Sequence, residues 1–152
     1  MKIYLEDAAA TEALGAAVGE NLFDGAVVLL TGDLGAGKTL FSKGLAVSRG
    51  VQGSDVVSPT FTLMNIYSGD VEIRHFDLYR LQAEEELDDI GFDEYCGGEG
   101  ITLIEWADLF MDRMPGEYLL VKIEREGAGR RAELTAVGTE YEAVLQKLKC
   151  LF

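Results

Sequence analysis

Residues 32–39, Gly-Asp-Leu-Gly-Ala-Gly-Lys-Thr, have the types and spacing to hold a phosphate. They satisfy G-x-x-x-x-G-K-[ST], and each fixed position has a physical task. Gly32, Gly35 and Gly37 allow backbone conformations closed to other residues, so successive N–H groups can turn inward around an anion. Lys38 brings a positive charge to the terminal phosphates, and the Thr39 hydroxyl is a ligand for Mg²⁺. The loop residues Asp33, Leu34, Gly35, Ala36 and Gly37, with Lys38, Thr39 and Leu40 behind them, are therefore candidate nucleotide contacts. A helix starting near Gly37 would point its positive dipole end at the same anion.

Such a loop works only between a strand and a helix, and the flanking sequence predicts both. Residues 26–31 are a short apolar run, as in a buried parallel strand. Residues 38–49 carry Leu40, Phe41, Gly44, Leu45 and Val47 with Lys43 and Arg49 between them, an amphipathic helix. Upstream, residues 3–5 read as a strand, and Asp7 is placed to cap a helix running to about Leu22. Downstream, residues 61–67 and 71–77 flank Ser68-Gly-Asp70 as a β-hairpin. Residues 82–95 read as partly helical with an interruption near Gly91, and 101–105 as a buried strand. A second hairpin joins 117–126 to 130–138 across Gly127-Ala-Gly129, and a last helix covers 139–149. The fold class is α/β: a P-loop NTPase-like three-layer fold with a mixed sheet, its parallel core flanked by antiparallel hairpins. One domain is expected over residues 1–152.

Phosphate chemistry also needs an acid at the end of a neighbouring strand, to hold Mg²⁺ or orient an attacking water. Two strands end in one, at Asp77 and at Glu105. Residues 71–76 alternate in a way that predicts a half-exposed strand, whereas Ile101-Thr-Leu-Ile104 is almost wholly apolar, as beside the P-loop strand. Glu105 is therefore the first candidate for catalysis and for the metal, with Lys38 and Asp77 as the other catalytic candidates. Which acid ligates the metal directly stays open. Thr60, in Ser58-Pro-Thr-Phe61, lies where a γ-phosphate-sensing threonine would lie.

Composition restricts the partners. At 152 residues and 48% hydrophobic content the chain can build a core, and no stretch approaches a membrane span. A cytoplasmic location follows from this and from Cys96 and Cys150, which lack ligand spacing; with His75 the sole histidine, zinc is not expected. The net charge of −14 argues against gripping nucleic acid by bulk electrostatics. The acids from Glu84 to Glu94 read first as a solvated helix face, and second as a docking surface for a basic partner.

Four strings taken together, residues 32–39, Ser58-Pro-Thr-Phe61, His75-Phe-Asp-Leu-Tyr-Arg80 and Ile104-Glu-Trp106, resemble the bacterial TsaE (YjeE) family, the ATPase component of tRNA threonylcarbamoyladenosine biosynthesis. The resemblance spans roughly residues 3 to 125. It implies binding of ATP and Mg²⁺, slow intrinsic hydrolysis, and partnership with TsaB and TsaD, which hold the tRNA and are reset between cycles. It also implies that Trp106 packs near the nucleotide and that Thr11 lies by the base. Leu40 stands where the family often has a second threonine, and Asp108 where glutamate is usual. Arg80 is the basic residue to suspect at a phosphate or a partner, with a surface salt bridge as the alternative.

Three other functions compete for the same loop. Guanine selection by a GTPase calls for an Asn-Lys-x-Asp segment, and the chain contains no Asn-Lys or Thr-Lys pair. A small-molecule kinase calls for an arginine-rich lid, and only Arg130 and Arg131 are adjacent. A non-hydrolysing nucleotide sensor needs the same loop as an ATPase, so the sequence does not separate the two.

Overall fold

The computed structural model describes residues 1–33, 35–59 and 61–152. The chain runs β1 (Lys2–Leu5), α1 (Ala8–Asn21), β2 (Ala26–Gly32), α2 (Lys38–Ser48), β3 (Met64–Ser68), β4 (Glu72–Asp77), α3 (Glu85–Asp89), α4 (Phe92–Tyr95), β5 (Ile101–Glu105), β6 (Tyr118–Glu126), β7 (Gly129–Val137) and α5 (Thr139–Lys149), with short 3-10 segments at 53–55 and 107–113. The strands form one mixed sheet in the order β1-β7-β6-β2-β5-β4-β3. The pairs β2·β5, β2·β6 and β4·β5 are parallel, and β1·β7, β6·β7 and β3·β4 are antiparallel. The expected fold class is what the structure has.

The period of two along β2 explains the layering. Ala26, Val28 and Leu30 join a core with Leu14, Val18, Phe41, Leu45 and Val144, under α1, α2 and α5. Val27 and Leu29 point the other way, into a second core with Phe76, Leu87, Phe92 and Ile104. Both faces of the strand are dry, which is why it reads as an unbroken apolar run. Helix α1 begins where Asp7 Oδ1 accepts the Ala10 N–H at 2.8 Å. Helices α1 and α2 cross so closely that a Cβ on Gly15 would lie 2.1 Å from the Phe41 carbonyl oxygen, and one on Gly44 2.0 Å from that of Glu12.

Two expectations are corrected. Strand β4 is not half-exposed: Arg74, His75, Phe76 and Asp77 are all buried, and only Glu72 is open to solvent. Glu72 and Arg74 looked like an exposed face, but Arg74 folds inward, bonded to Glu72 at 3.0 Å and to the Thr102 hydroxyl at 3.4 Å, because β4 is an interior strand between β5 and β3. The first hairpin is also shorter than residues 61–67 predicted. Leu63 takes a left-handed φ of 67°, and its N–H donates to Pro59 O at 2.7 Å, so a turn precedes the strand. The acidic run is partly neutralised, since Arg113 reaches Asp88 at 2.8 Å, Asp93 at 2.9 Å and Glu84 at 3.6 Å.

Candidate nucleotide-binding site

The parallel strands β2, β5 and β4 end at one edge of the sheet, and the candidate residues meet there, as ligand sites do in open α/β sheets. Gly32, Gly35 and Gly37 take φ values of 128°, 76° and 110°, the left-handed conformations that fold the loop over the start of α2. A Cβ at Gly32 would lie 1.9 Å from the Ile123 carbonyl oxygen, so neighbouring β6 also enforces glycine there.

A cavity of about 430 Å³ lies against this loop. Gly35, Gly37, Lys38, Thr39 and Leu40 line it from the loop side, and Asp77, Glu105 and Trp106 from the strand ends. Ser58 and Tyr79 complete the wall. Asp77 and Glu105 are register partners on adjacent parallel strands, so their side chains leave the sheet on one face. A second cavity of about 170 Å³ adjoins the first through Gly35, Gly37 and Leu40. Thr11 and Ala36 line it together with Asp7 and the tip of the β6–β7 hairpin, Ala128 to Arg130. Asp33 is exposed and contributes its carbonyl to Lys38. Leu34 and Thr60, both candidate contacts from the sequence, lie outside the described residues.

Lys38 is the charged centre. Its ammonium donates to Gly32 O at 3.0 Å and to Asp33 O at 2.8 Å, and it sits 4.2 Å from the centroid of the Trp106 ring. An ammonium has three donors, so one more remains after the two carbonyls. Burial pushes the amine below the usual lysine range, and the charges of Glu105, Asp77, Asp108 and Asp33 pull it back up. Trp106 reaches this position through a left-handed φ of 62°, held by its N–H bonding to Leu30 O at 3.1 Å and by the Tyr79 ring at 4.8 Å. A non-glycine residue in that region costs energy, and such strain clusters at functional sites.

Sequence reasoning missed two features. Glu105, 3% exposed, shares a 2.6 Å hydrogen bond between Oε2 and Nε2 of His75, which is fully buried. The signal was available: His75 stands two residues before Asp77, so the strand period puts both on the face that Glu105 shares. Arg130 fixes the back of the loop, with Nε donating to Ala36 O at 3.0 Å and Nη2 to Gly35 O at 3.5 Å. Nothing in the hairpin sequence pointed to that contact. The Arg80 guanidinium lies 5.3 Å from the centroid of the Phe61 ring.

The donor types fit magnesium. A hydroxyl and two carboxylates are hard oxygen ligands, and Mg²⁺ commonly takes one or two carboxylates and fills its other positions with water and phosphate oxygens. Among the described residues there is no cluster of three or more histidine, cysteine or acidic side chains able to hold a metal alone.

Comparison with known proteins agrees with this architecture. The family model described as threonylcarbamoyl adenosine biosynthesis protein TsaE matches residues 5–133. The tRNA threonylcarbamoyladenosine biosynthesis protein TsaE of Bacillus subtilis is 44% identical over 126 residues, covering 82% of this chain and 78% of that protein. Its counterpart in Treponema pallidum is 40% identical over 135 residues, covering 89% and 98%. The crystal structure of Bacillus subtilis YdiB superposes with a TM-score of 0.82 at 34% identity, covering 99% of this chain and 95% of that one. A family model matching residues 5–133, with relatives 40–44% identical through most of the chain, makes this chain a member of the TsaE family.

Proposed function

We propose that the chain binds ATP with Mg²⁺, hydrolyses it slowly by itself, and serves tRNA threonylcarbamoyladenosine biosynthesis as the nucleotide-driven component acting with TsaB and TsaD. The observation that carries this reading is the convergence of Lys38, Asp77 and Glu105 on one cavity beside a left-handed glycine loop. Family membership supplies the pathway.

In this reading the loop N–H groups and the third donor of Lys38 stabilise charge on the phosphates. Thr39 and one of the two acids would hold the metal, which when bound would neutralise charge on the phosphates. Glu105 orients the attacking water or the metal, and Asp77 shares that task. The smaller cavity takes the base, with Thr11 on one wall and the hairpin tip on the other. Slow turnover alone is expected because six of the seven arginines are engaged elsewhere: Arg49, Arg74, Arg113 and Arg131 in ion pairs, Arg80 on Phe61, Arg130 on loop carbonyls; the seventh, Arg125, has Nη2 2.9 Å from where a Cβ on Gly35 would stand, beside the loop. A partner would then complete the site. The −14 charge fits a chain that meets tRNA only through its partners, in the cytoplasm. No helix among the described residues is long and apolar enough to cross a membrane.

The test is phosphate release from MgATP by the chain alone and with purified TsaB and TsaD. Slow release that the pair stimulates is the expected result. Tight ATP binding with no release in either condition would instead make the chain a nucleotide-gated binding module. Release alone near 10 per second, on the order of an ordinary enzyme, would refute partner dependence.

A further inference from the structure

A line of hydrogen bonds runs from Glu105 across two strands to the segment that precedes Pro59. Glu105 on β5 bonds His75 on β4 at 2.6 Å, His75 Nδ1 lies 3.1 Å from the Tyr67 hydroxyl on β3, and that hydroxyl lies 2.8 Å from Val57 O. The donors can be ordered. Val57 O can only accept, so the single hydroxyl proton of Tyr67 goes to it, and the hydroxyl oxygen receives Nδ1–H of His75. The imidazole is thereby turned so that Nε2 meets Glu105 Oε2, and since Nδ1 already carries a proton, the 2.6 Å contact holds a second one between Nε2 and Oε2. His75, Tyr67 and Glu105 are all at least 95% buried, so water offers no easy substitute for any link.

We propose that His75 is a positioning residue for Glu105, and that through Tyr67 it ties the acid's orientation to the seating of the 57–59 segment. This rests on the reading of Glu105 as the acid of a nucleotide site. With Oε2 committed to His75, the carboxylate plane is fixed and its other oxygen serves the cavity that Glu105 lines. Ser58, next to Val57, lines the same cavity. A shift of that segment by a partner or by nucleotide therefore pulls on Tyr67, then on His75, then on the acid. A buried carboxylate simply being satisfied would need only the first of these bonds. The extension through Tyr67 to a cavity-lining segment is what a purely structural role leaves unexplained.

Tyr67→Phe isolates the link. It leaves the His75–Glu105 bond in place, and Val57 O still receives Asn65 Nδ2 at 3.3 Å. Two companions divide the imidazole. His75→Gln can offer an amide donor near the Nε2 position, and His75→Asn one near Nδ1. Phosphate release under the most active condition, ATP affinity and melting temperature are measured for each, and Tyr67→Phe is repeated in a Glu105→Gln background. The expected result for Tyr67→Phe is a loss of about tenfold in kcat with KM held within about twofold, the signature of a lost transition-state interaction. His75→Gln should retain more turnover than His75→Asn. In the Glu105→Gln background the Tyr67→Phe loss should vanish, because both changes act through one carboxylate. Wild-type kcat in Tyr67→Phe, or a full loss persisting beside Glu105→Gln, overturns the proposal. If His75→Asn does not fold, Tyr67→Phe and its cycle still decide. If the wild type releases no phosphate at all, the ATPase reading fails separately. The proposal is then judged on the gain in ATP affinity that Mg²⁺ gives, which Tyr67→Phe should reduce at least threefold and which, if unchanged, overturns it.

Discussion

Gly15→Ala offers the sharpest test of how the site is held, because the whole effect must pass through the crossing of α1 and α2. A Cβ at Gly15 would lie 2.1 Å from Phe41 O, 2.9 Å from Phe41 C and 3.1 Å from Leu45 N, all backbone atoms that cannot rotate away. Carbon–oxygen contacts settle near 3.3 Å or more, so the helices must separate by roughly 1 Å. Forcing a methyl into packed surroundings costs about 1–3 kcal/mol, and Leu14, Phe41 and Leu45 beside it are fully buried. Alanine returns up to about 1 kcal/mol through its better helix propensity. The net loss is about 1–2 kcal/mol, which for a chain of this size lowers the melting temperature by roughly 2–8 °C. The functional part follows from Thr11. It stands on α1, one turn before Gly15, and its methyl would be 3.4 Å from a Cβ on Gly37, so moving α1 moves the wall of the smaller cavity against the loop. ATP affinity should fall severalfold. The assay is thermal unfolding together with an equilibrium ATP titration. Gly116→Ala serves as control, since that glycine has open space around it and should stabilise slightly through the unfolded chain. A Gly15→Ala protein as stable as the wild type, with unchanged ATP affinity, would refute the close crossing and its link to the site.

Other outcomes follow from the same geometry. Lys38→Met should weaken ATP binding by about 10–100-fold, the worth of charged hydrogen bonds, without lowering the melting temperature, because a buried charge is replaced by an apolar chain of similar length; a marked drop in melting temperature would show that the ammonium's bonds to Gly32 and Asp33 outweigh its desolvation. Trp106 is the single tryptophan and has the Lys38 ammonium 4.2 Å from its ring centroid, so ATP binding should change its emission saturably as the lysine turns toward phosphate; no change at saturating ATP would mean the pair persists. Burial pushes the half-buried Cys96 thiol up to about 12, so at pH 8 it is almost wholly protonated and should resist iodoacetamide, while the exposed Cys150 is labelled. Equal labelling of the two would contradict the packing around Cys96.

What was legible in the sequence is what short-range physics decides. The glycine loop declared itself because left-handed φ values leave few other choices of residue. Strands β2 and β5 declared themselves because both of their faces are dry, and the hairpin turns because Ser68-Gly-Asp70 and Gly127 punctuate them. Strand β4 misled for a physical reason. Glu72 and Arg74 are opposite charges two residues apart, on one face of the strand, and bond to each other, so a buried arginine carried the pattern of a solvated face. The His75–Glu105 bond joins residues thirty apart: the strand period puts His75 on the face of Asp77, but that β5 lies beside β4 is decided by strand order. The hold of Arg130 on the loop spans 94 residues and depends on β6 lying against β2, which strand order alone decides.

An acidic chain proposed to bind a polyphosphate works against its own field. The site answers this by distance. At physiological salt, exposed charges are screened beyond about 8 Å, so most of the net charge of −14 has little say at the loop. Within that range the acids that matter are Glu105, Asp77, Asp108 and Asp33, and all four stabilise the charged form of Lys38 against its burial. The acids that would serve a metal also help keep Lys38 charged, and a bound metal would relieve the repulsion between those acids and the proposed phosphates. Acidity near the loop is therefore part of how the proposed site is built, while acidity elsewhere disfavours bulk electrostatic binding of nucleic acid. A chain so arranged fits a role that engages RNA through a partner and responds to nucleotide at one sheet edge, where Glu105, His75 and Tyr67 connect the phosphate cavity to the 57–59 segment.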